Sequence, residues 1–354
     1  MTTIDGSLAG VVVTRTRIAL VDGLQGIVLI RGYALPELAV RCRYEEVAHL
    51  VLRGELPDEA SREDFCRKLA DYDTLSEEAR RVARKLGEIL PAPEALASAM
   101  GLLDTGEHSP EEQATATLAR LPSLAAAVAG QPSPEPAWSH ARKTLVALGA
   151  QRTDTRAEHA LEVLLNLEAE HGLSASTFAC RIAASSGARA GVSLGAAMAT
   201  LTGPRHGGAT AEARALLLEA LEDGDPAALV RRAYDQRRRL AGFGHRIYKV
   251  PDPRIPPLRA AIEAMGEARL LPVAEALCRE AEKLYGARGI YANIDLYGAV
   301  LLDALGVEPA HYVAAFALGL AAGWLAHWLE QGFTGRLIRP ESTYEGPPLR
   351  TIPP

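Results

Sequence analysis

Apolar residues recur three and four positions apart along most of this chain, the spacing of a helix with one buried face. LPELAVRC (35–42), YEEVAHLVL (44–52) and RAEHALEVLLNLEAEHG (156–172) carry it. SEEARRVARKLGEIL (76–90) is amphipathic and ends at Pro91. SREDFCRKLADY (61–72) opens with Ser61 and Asp64 at capping-box spacing. TAEARALLLEALE (210–222), DPAALVRRAYDQRRRLAG (225–242) and EARLLPVAEALCREAEKLYG (267–286) predict three more helices, the last broken by Pro272. GARAGVSLGAAMATLTGP (187–204) predicts a helix of small residues that is deeply packed or part of a subunit contact. QPSPEPAW (131–138) reads as a loop.

One region changes period. GVVVTRTRIALV (10–21) alternates, Asp22-Gly23 marks a turn, and GIVLIRGY (26–33) returns. That pattern predicts a β-hairpin over residues 10–33. The fold class is therefore mostly α with a small N-terminal hairpin.

A length of 354 residues suggests about two domains. With 48% hydrophobic residues the chain can bury a large core. A net charge of −6 gives no basic footprint, so a nucleic-acid partner is not expected. Cys42, Cys66, Cys180 and Cys278 lie far apart and form no CxxC pair, so a zinc site has no support and a reducing, cytoplasmic setting is expected. MTTIDGSLAG lacks the charged and apolar regions of a signal peptide. YVAAFALGLAAGWLAHW (312–328) reaches only the lower length limit of a membrane span and carries His327. It reads as a buried helix, so no membrane partner is expected.

Several motifs could carry chemistry. Gly191-Val192-Ser193-Leu194-Gly195 matches a nucleophile elbow, but its alanine-rich flanks predict a helix where the elbow needs a strand. The arginines at 231, 232, 237, 238 and 239 read as a solvated helix face. His49, His108, His140 and His159 lie on predicted helices or loops without evident partners. His206 is different. It stands in TGPRHGGAT just before a helix, where the positive dipole end favours a neutral imidazole able to donate to an oxyanion. Asp295 precedes an apolar helix in YANIDLYGAVLLDALG. It reads either as an N-cap or as a base strengthened by burial. AGFGHRIYKVPDPR (241–254) packs two glycines, two prolines and His245, Arg246, Lys249 and Arg254 into fourteen residues.

GPRHGGA, GFGHRIYKVPDPR, YANIDLYGAVLLDALG, GWLAHWLEQ and RLIRP occur in that order, preceded by GIVLIRGYALPELAVRCRYEEVAHLVLRGELP and AEHGLSASTF. Together they resemble the citrate synthase family, including its 2-methylcitrate synthases, over nearly the whole chain. The resemblance implies a mostly helical homodimer with a cleft between two domains. The large domain would comprise 1–207 plus 307–354, and the small domain 208–306 with His245, Arg254 and Asp295. It implies that an acyl-CoA such as acetyl-CoA or propionyl-CoA condenses with a 2-oxo acid such as oxaloacetate, the entry step of the tricarboxylic acid cycle. The CoA thioester is a substrate, and no cofactor or metal is implied. Asp295 would be the base, His206 would stabilise the enol oxygen, and His245 would polarise the acceptor carbonyl. His171 and Arg254 would bind the oxo acid, Arg339 would reach across the dimer, and Lys249 would meet CoA phosphates.

Some positions depart from the family pattern. Leu320 stands where an arginine binds a second substrate carboxylate. Glu168 stands where histidine is usual, Ser174 where asparagine is common, and Glu341 where an arginine often follows Arg339-Pro340. Four readings stay open: oxaloacetate with a rebuilt clamp, a different 2-oxo acid, a non-catalytic binder of the same fold, and, more remotely, a GxSxG hydrolase.

Overall fold

The computed structural model describes residue 8, residues 10–104 and residues 109–352. His108 and most of the N-terminal stretch MTTIDGSLAG lie outside these residues. The helix Tyr312–Thr334 organises the fold. Its residues Ala315, Ala317, Leu318, Ala321, Ala322, Trp324 and Leu325 are fully enclosed. It packs on the helices Tyr44–Arg53, Pro110–Val128, Thr155–Glu168, Ala175–Ser185 and Ala190–Leu201. An 18-residue window in Pro309–Gly332 is apolar enough to cross a bilayer, yet 94% of it is buried inside the protein. Glycine permits close contacts along this helix. A Cβ on Gly319 would stand 3.0 Å from Cβ of Glu168 and 3.1 Å from the Leu165 carbonyl oxygen. The helix therefore lies directly against the end of Thr155–Glu168.

Four helices in the second half pack mainly on one another: Ala209–Asp223, Pro226–Asp235, Leu271–Tyr285 and Ile294–Ala304. A fifth, Ile255–Met265, packs on Ile294–Ala304 and more extensively on Thr155–Glu168, where Arg254 at its start meets Glu168 at the end of the other helix.

The hairpin is shorter than the alternation predicts. It pairs Ala19–Asp22 with Ile27–Ile30, with Ala19 opposite Ile30, and a two-residue strand Tyr33–Ala34 completes the sheet. Residues 11–18 form no strand, and the long helix takes up polar groups of Thr16 and Arg17. Glu330 accepts from the Arg17 N–H at 2.9 Å and from Thr16 Oγ1 at 3.3 Å. Asp22 Oδ1 caps the hairpin turn by accepting from the N–H groups of Leu24 and Gln25. The tip of that turn, Gly23, sits against the carbonyl of Ile247 with no room for a Cβ, and accepts from the Lys249 N–H at 3.0 Å. The sheet thus props the loop that carries His245.

Other boundaries shift for local reasons. Asp58, not Ser61, caps the helix Glu59–Tyr72 by accepting from the Ser61 N–H at 2.8 Å. Pro272 does not break a helix but opens Leu271–Tyr285, where its missing N–H costs nothing. Arg237, Arg238 and Arg239 lie beyond the helix Pro226–Asp235 rather than on its face. Ser193 is buried within Ala190–Leu201 and donates to the Ala188 carbonyl, so no strand-borne elbow exists there.

Candidate active site

Two left-handed glycines shape the loop around His245. Gly242 has φ +78° and Gly244 φ +83°, a region open to glycine and strained for other residues. Gly244 N–H donates to the Tyr291 carbonyl at 2.7 Å, and Asn293 N–H donates to the Gly242 carbonyl at 2.9 Å. The Asn293 amide donates to the Gly244 carbonyl at 2.8 Å. These bonds tie the loop to the start of the helix Ile294–Ala304. Within the loop, Nδ1 of His245 accepts from the N–H groups of Ile247 and Tyr248 at 3.1 and 3.0 Å. The neutral ring therefore carries its proton on Nε2. Burial, with Arg254 adding to it, lowers the His245 pKa to about 4, so the ring stays neutral.

Asp295 is not the N-cap. Asn293 fills that position and accepts from the Asp295 N–H at 3.1 Å. The Asp295 carboxyl is thereby left for other partners. Its Oδ1 accepts from Thr210 Oγ1 at 2.6 Å, while Oδ2 makes no hydrogen bond among the described residues. Burial raises its pKa, against the opposing pull of the Thr210 bond and of Arg254. A carboxylate held at one oxygen and bare at the other is a base whose free lone pairs have a fixed direction.

His206 lies in the turn before Ala209–Asp223. Its Nε2 faces both the Ser176 N–H at 3.4 Å and Ser176 Oγ at 2.9 Å. Accepting from both leaves the proton on Nδ1. Its pKa is lowered by burial, which keeps the ring neutral. Thr210 follows four residues later, so one turn links the His206 segment to the Asp295 carboxyl.

Arg254 is almost wholly buried, at 3% exposure. Its Nε and Nη2 donate to the two oxygens of Asp252 at 3.0 and 2.8 Å, and its Nη1 donates to Glu168 Oε1 at 3.0 Å. Burial opposes the guanidinium charge, but Asp252 and Glu168 outweigh it and hold the Arg254 pKa above its ordinary value. Asp252 Oδ2 also accepts from the Ile294 N–H at 3.2 Å, which anchors the arginine to the helix of Asp295. Burial pushes the Glu168 carboxyl up to about 7, with Arg254 opposing and Asp295 and Asp252 adding. His171 bonds the Tyr248 hydroxyl through Nε2 at 2.6 Å, and Tyr248 stacks on His245 with ring centroids 4.5 Å apart. His171 and His245 meet edge to face at 5.5 Å.

The structure thus gathers His171, His245, Arg254 and Asp295 into one connected cluster; the His206 ring bonds Ser176 and lies four residues before Thr210, the partner of Asp295. Lys249 sits exposed at its rim, donating from Nζ to the His245 carbonyl at 3.2 Å. Arg339 is exposed and is not brought to the cluster by its own chain. Sequence reasoning missed Thr210, Ser176, Asp252, Asn293 and Tyr248. Asp252 and Tyr248 stand inside the loop motif already singled out, and Thr210 lies one helical turn past His206. Their roles depend on partners far along the chain. His49 and His140, read as unpartnered, do have partners. His49 Nδ1 bonds the Glu55 carbonyl, and His140 bonds the Leu318 carbonyl and stacks on Tyr44. Both sit outside the cluster and serve packing. His159 is exposed on its helix.

Comparison with known proteins places this geometry in a family. Residues 7–341 match the family described as citrate synthase, C-terminal domain. The citrate synthase of Haloferax volcanii is 34% identical over 359 residues, covering 96% of this chain and 95% of that protein. The citrate/2-methylcitrate synthase of Bacillus subtilis is 31% identical, covering 97% of each. The citrate synthase of Thermoplasma acidophilum, solved with carboxymethyl coenzyme A and oxaloacetate, superposes with a TM-score of 0.84 at 27% identity, covering 98% of this chain and 97% of that one. Likeness of sequence and of fold runs end to end, and the chain belongs to the citrate synthase family as a citrate synthase-like transferase.

Proposed function

We propose that this chain condenses an acyl-CoA with a 2-oxo acid and releases CoA, with Asp295, His206 and His245 as its catalytic groups. The carrying observation is the Asp295 carboxyl, part-buried, held at Oδ1 by Thr210 and bare at Oδ2. Oδ2 takes a proton from the carbon next to the thioester. The electron pair moves to the thioester oxygen, which the His206 Nδ1–H receives. That fixed donor acts where charge develops. The carbon then attacks the acceptor carbonyl, whose oxygen takes a hydrogen bond and then a proton from the His245 Nε2–H. Water cleaves the thioester and CoA leaves. His171 and Arg254 orient the acceptor, and Lys249 meets phosphates of CoA. The names of the related proteins, citrate and 2-methylcitrate synthases, support acetyl and propionyl donors.

The working unit is a homodimer in which the exposed Arg339 reaches the site of the partner subunit. The chain divides into a large domain, 1–207 plus 307–354, and a small one, 208–306. Support for the division comes from the mutual packing of four of the five helices between residues 209 and 304; the fifth, Ile255–Met265, spans to Thr155–Glu168. The test is a matrix of acetyl-CoA and propionyl-CoA against several 2-oxo acids, scored by released thiol and product mass. Thiol release that depends on the oxo acid is the expected result. Absence of release with every pair overturns the proposal.

A further inference from the structure

The buried cations of the described chain are Arg120, Lys143, Arg181 and Arg254. Three of them are engaged elsewhere. Arg120 bonds the carbonyls of Thr74 and Leu103, Lys143 pairs with Asp73 at 2.8 Å, and Arg181 pairs with Glu330 at 2.7 Å. Only Arg254 lies in the His171–His245–Asp295 cluster, and two carboxylates already hold it. Asp252 takes one edge of its fork with two bonds, and Glu168 takes Nη1. The cluster therefore sets three buried or part-buried carboxyls, Asp252, Glu168 and Asp295, against one buried guanidinium, with the exposed Arg239 and Lys249 acting on Asp295 and His245 from outside.

The placement of Glu168 is not a by-product of helix chemistry. Glu168 ends the helix Thr155–Glu168 and Arg254 precedes Ile255–Met265, so each charge sits at the helix end whose dipole disfavours it. Leu320, the next residue after Gly319 on the long helix, is buried and adds no charge. A dicarboxylic acceptor would bring two more negative charges to this place. Like charges at short range in a desolvated site repel strongly.

We propose that Glu168 sets acceptor specificity by occupying Arg254 from within the pocket, so that the acceptor is a 2-oxo acid with one carboxylate and an uncharged remainder. The single acceptor carboxylate is met by the N–H bonds of Arg254 that neither Asp252 nor Glu168 takes, together with Arg339 of the partner subunit. This inference rests on the condensation reading above and names its acceptor class.

The test measures kcat/KM of the full chain with oxaloacetate and with two monocarboxylic acids, pyruvate and 2-oxobutanoate, using acetyl-CoA and propionyl-CoA. Wild type should favour the monocarboxylic acids by about ten-fold or more, the ratio expected for one unpaired charge. Glu168→Gln keeps the shape and removes the charge. It should raise oxaloacetate use by about ten-fold, mainly through KM, with the KM for acyl-CoA nearly unchanged. Adding Leu320→Arg should extend the gain. If Glu168→Gln does not fold, Glu168→Asp, which withdraws the carboxylate by one methylene, replaces it and should shift the ratio the same way. Wild type that prefers oxaloacetate, or a ratio unmoved by these variants, overturns the inference while leaving the condensation reading intact. Absence of thiol release with every pair overturns both.

Discussion

Thr210 Oγ1 donates to Oδ1 of Asp295 across 85 residues of sequence, at 2.6 Å. The bond stabilises the ionised carboxylate and so opposes the rise in pKa that burial imposes. Thr210→Val keeps the shape and removes the donor. Asp295 should then need a higher pH to ionise, and the acid limb of the kcat/KM profile should move upward. At mildly acidic pH the loss should be about ten-fold, the worth of a hydrogen bond to a charged group, and should shrink toward alkaline pH. A uniform loss at all pH values would show that Thr210 only positions the base.

Asp295→Asn removes the base. Turnover should fall by about 10²–10⁴, as for loss of a general base. Stability should move the other way. The folded-state pKa of Asp295 lies above its unfolded value, so the native protein binds that proton more tightly. Stability is then lost as pH rises from the unfolded pKa through the folded one. The Asn variant escapes this cost, so its Tm should exceed that of wild type at neutral pH, and the gap should close in acid. Thermal melts across pH check the sign.

Gly242→Ala tests the loop. A Cβ there would stand 2.9 Å from Leu296 Cβ, and the φ of +78° already disfavours alanine. Overpacking and backbone strain together should cost about 1–3 kcal/mol in denaturant unfolding. Because Gly242 accepts from the Asn293 N–H, His245 and Asp295 should both be displaced, and activity should fall more than stability accounts for.

Arg339 tests the dimer. Subunits with Arg339→Ala and subunits with Asp295→Asn should each be nearly inactive alone. Mixed at equal amounts with exchange verified, they should recover about a quarter of wild-type activity, from random pairing in a two-fold dimer with one intact site per hybrid. No recovery would place Arg339 in its own chain's site.

Helix order was readable because apolar periodicity is local, and the long helix, the small-residue helix and the hairpin turn all stand where the spacing puts them. The misses are also local in origin. Pro272 looks like a breaker until its place at a helix start is known, and residues 11–18 alternate like a strand although Thr16 and Arg17 turn their polar groups to Glu330. In the site, flanking glycines and an apolar run drew attention to His206, His245 and Asp295, while the catalytic roles expected of them came from the family resemblance. Their partners were not, because Ser176 and Thr210 meet them only after the chain has folded back. Glu168 stood out as a departure from the family pattern, but nothing in the sequence shows that it grips Arg254, 86 residues away.

A Cβ at 319 would press on Glu168 Cβ and on the backbone of Leu165, and neither is removed when the side chain at 168 is shortened to alanine. The seam between the two helices is therefore closed to growth from the 319 side, whatever its neighbour carries. A laboratory lineage selected for a new acceptor should vary residue 168 freely and keep glycine at 319.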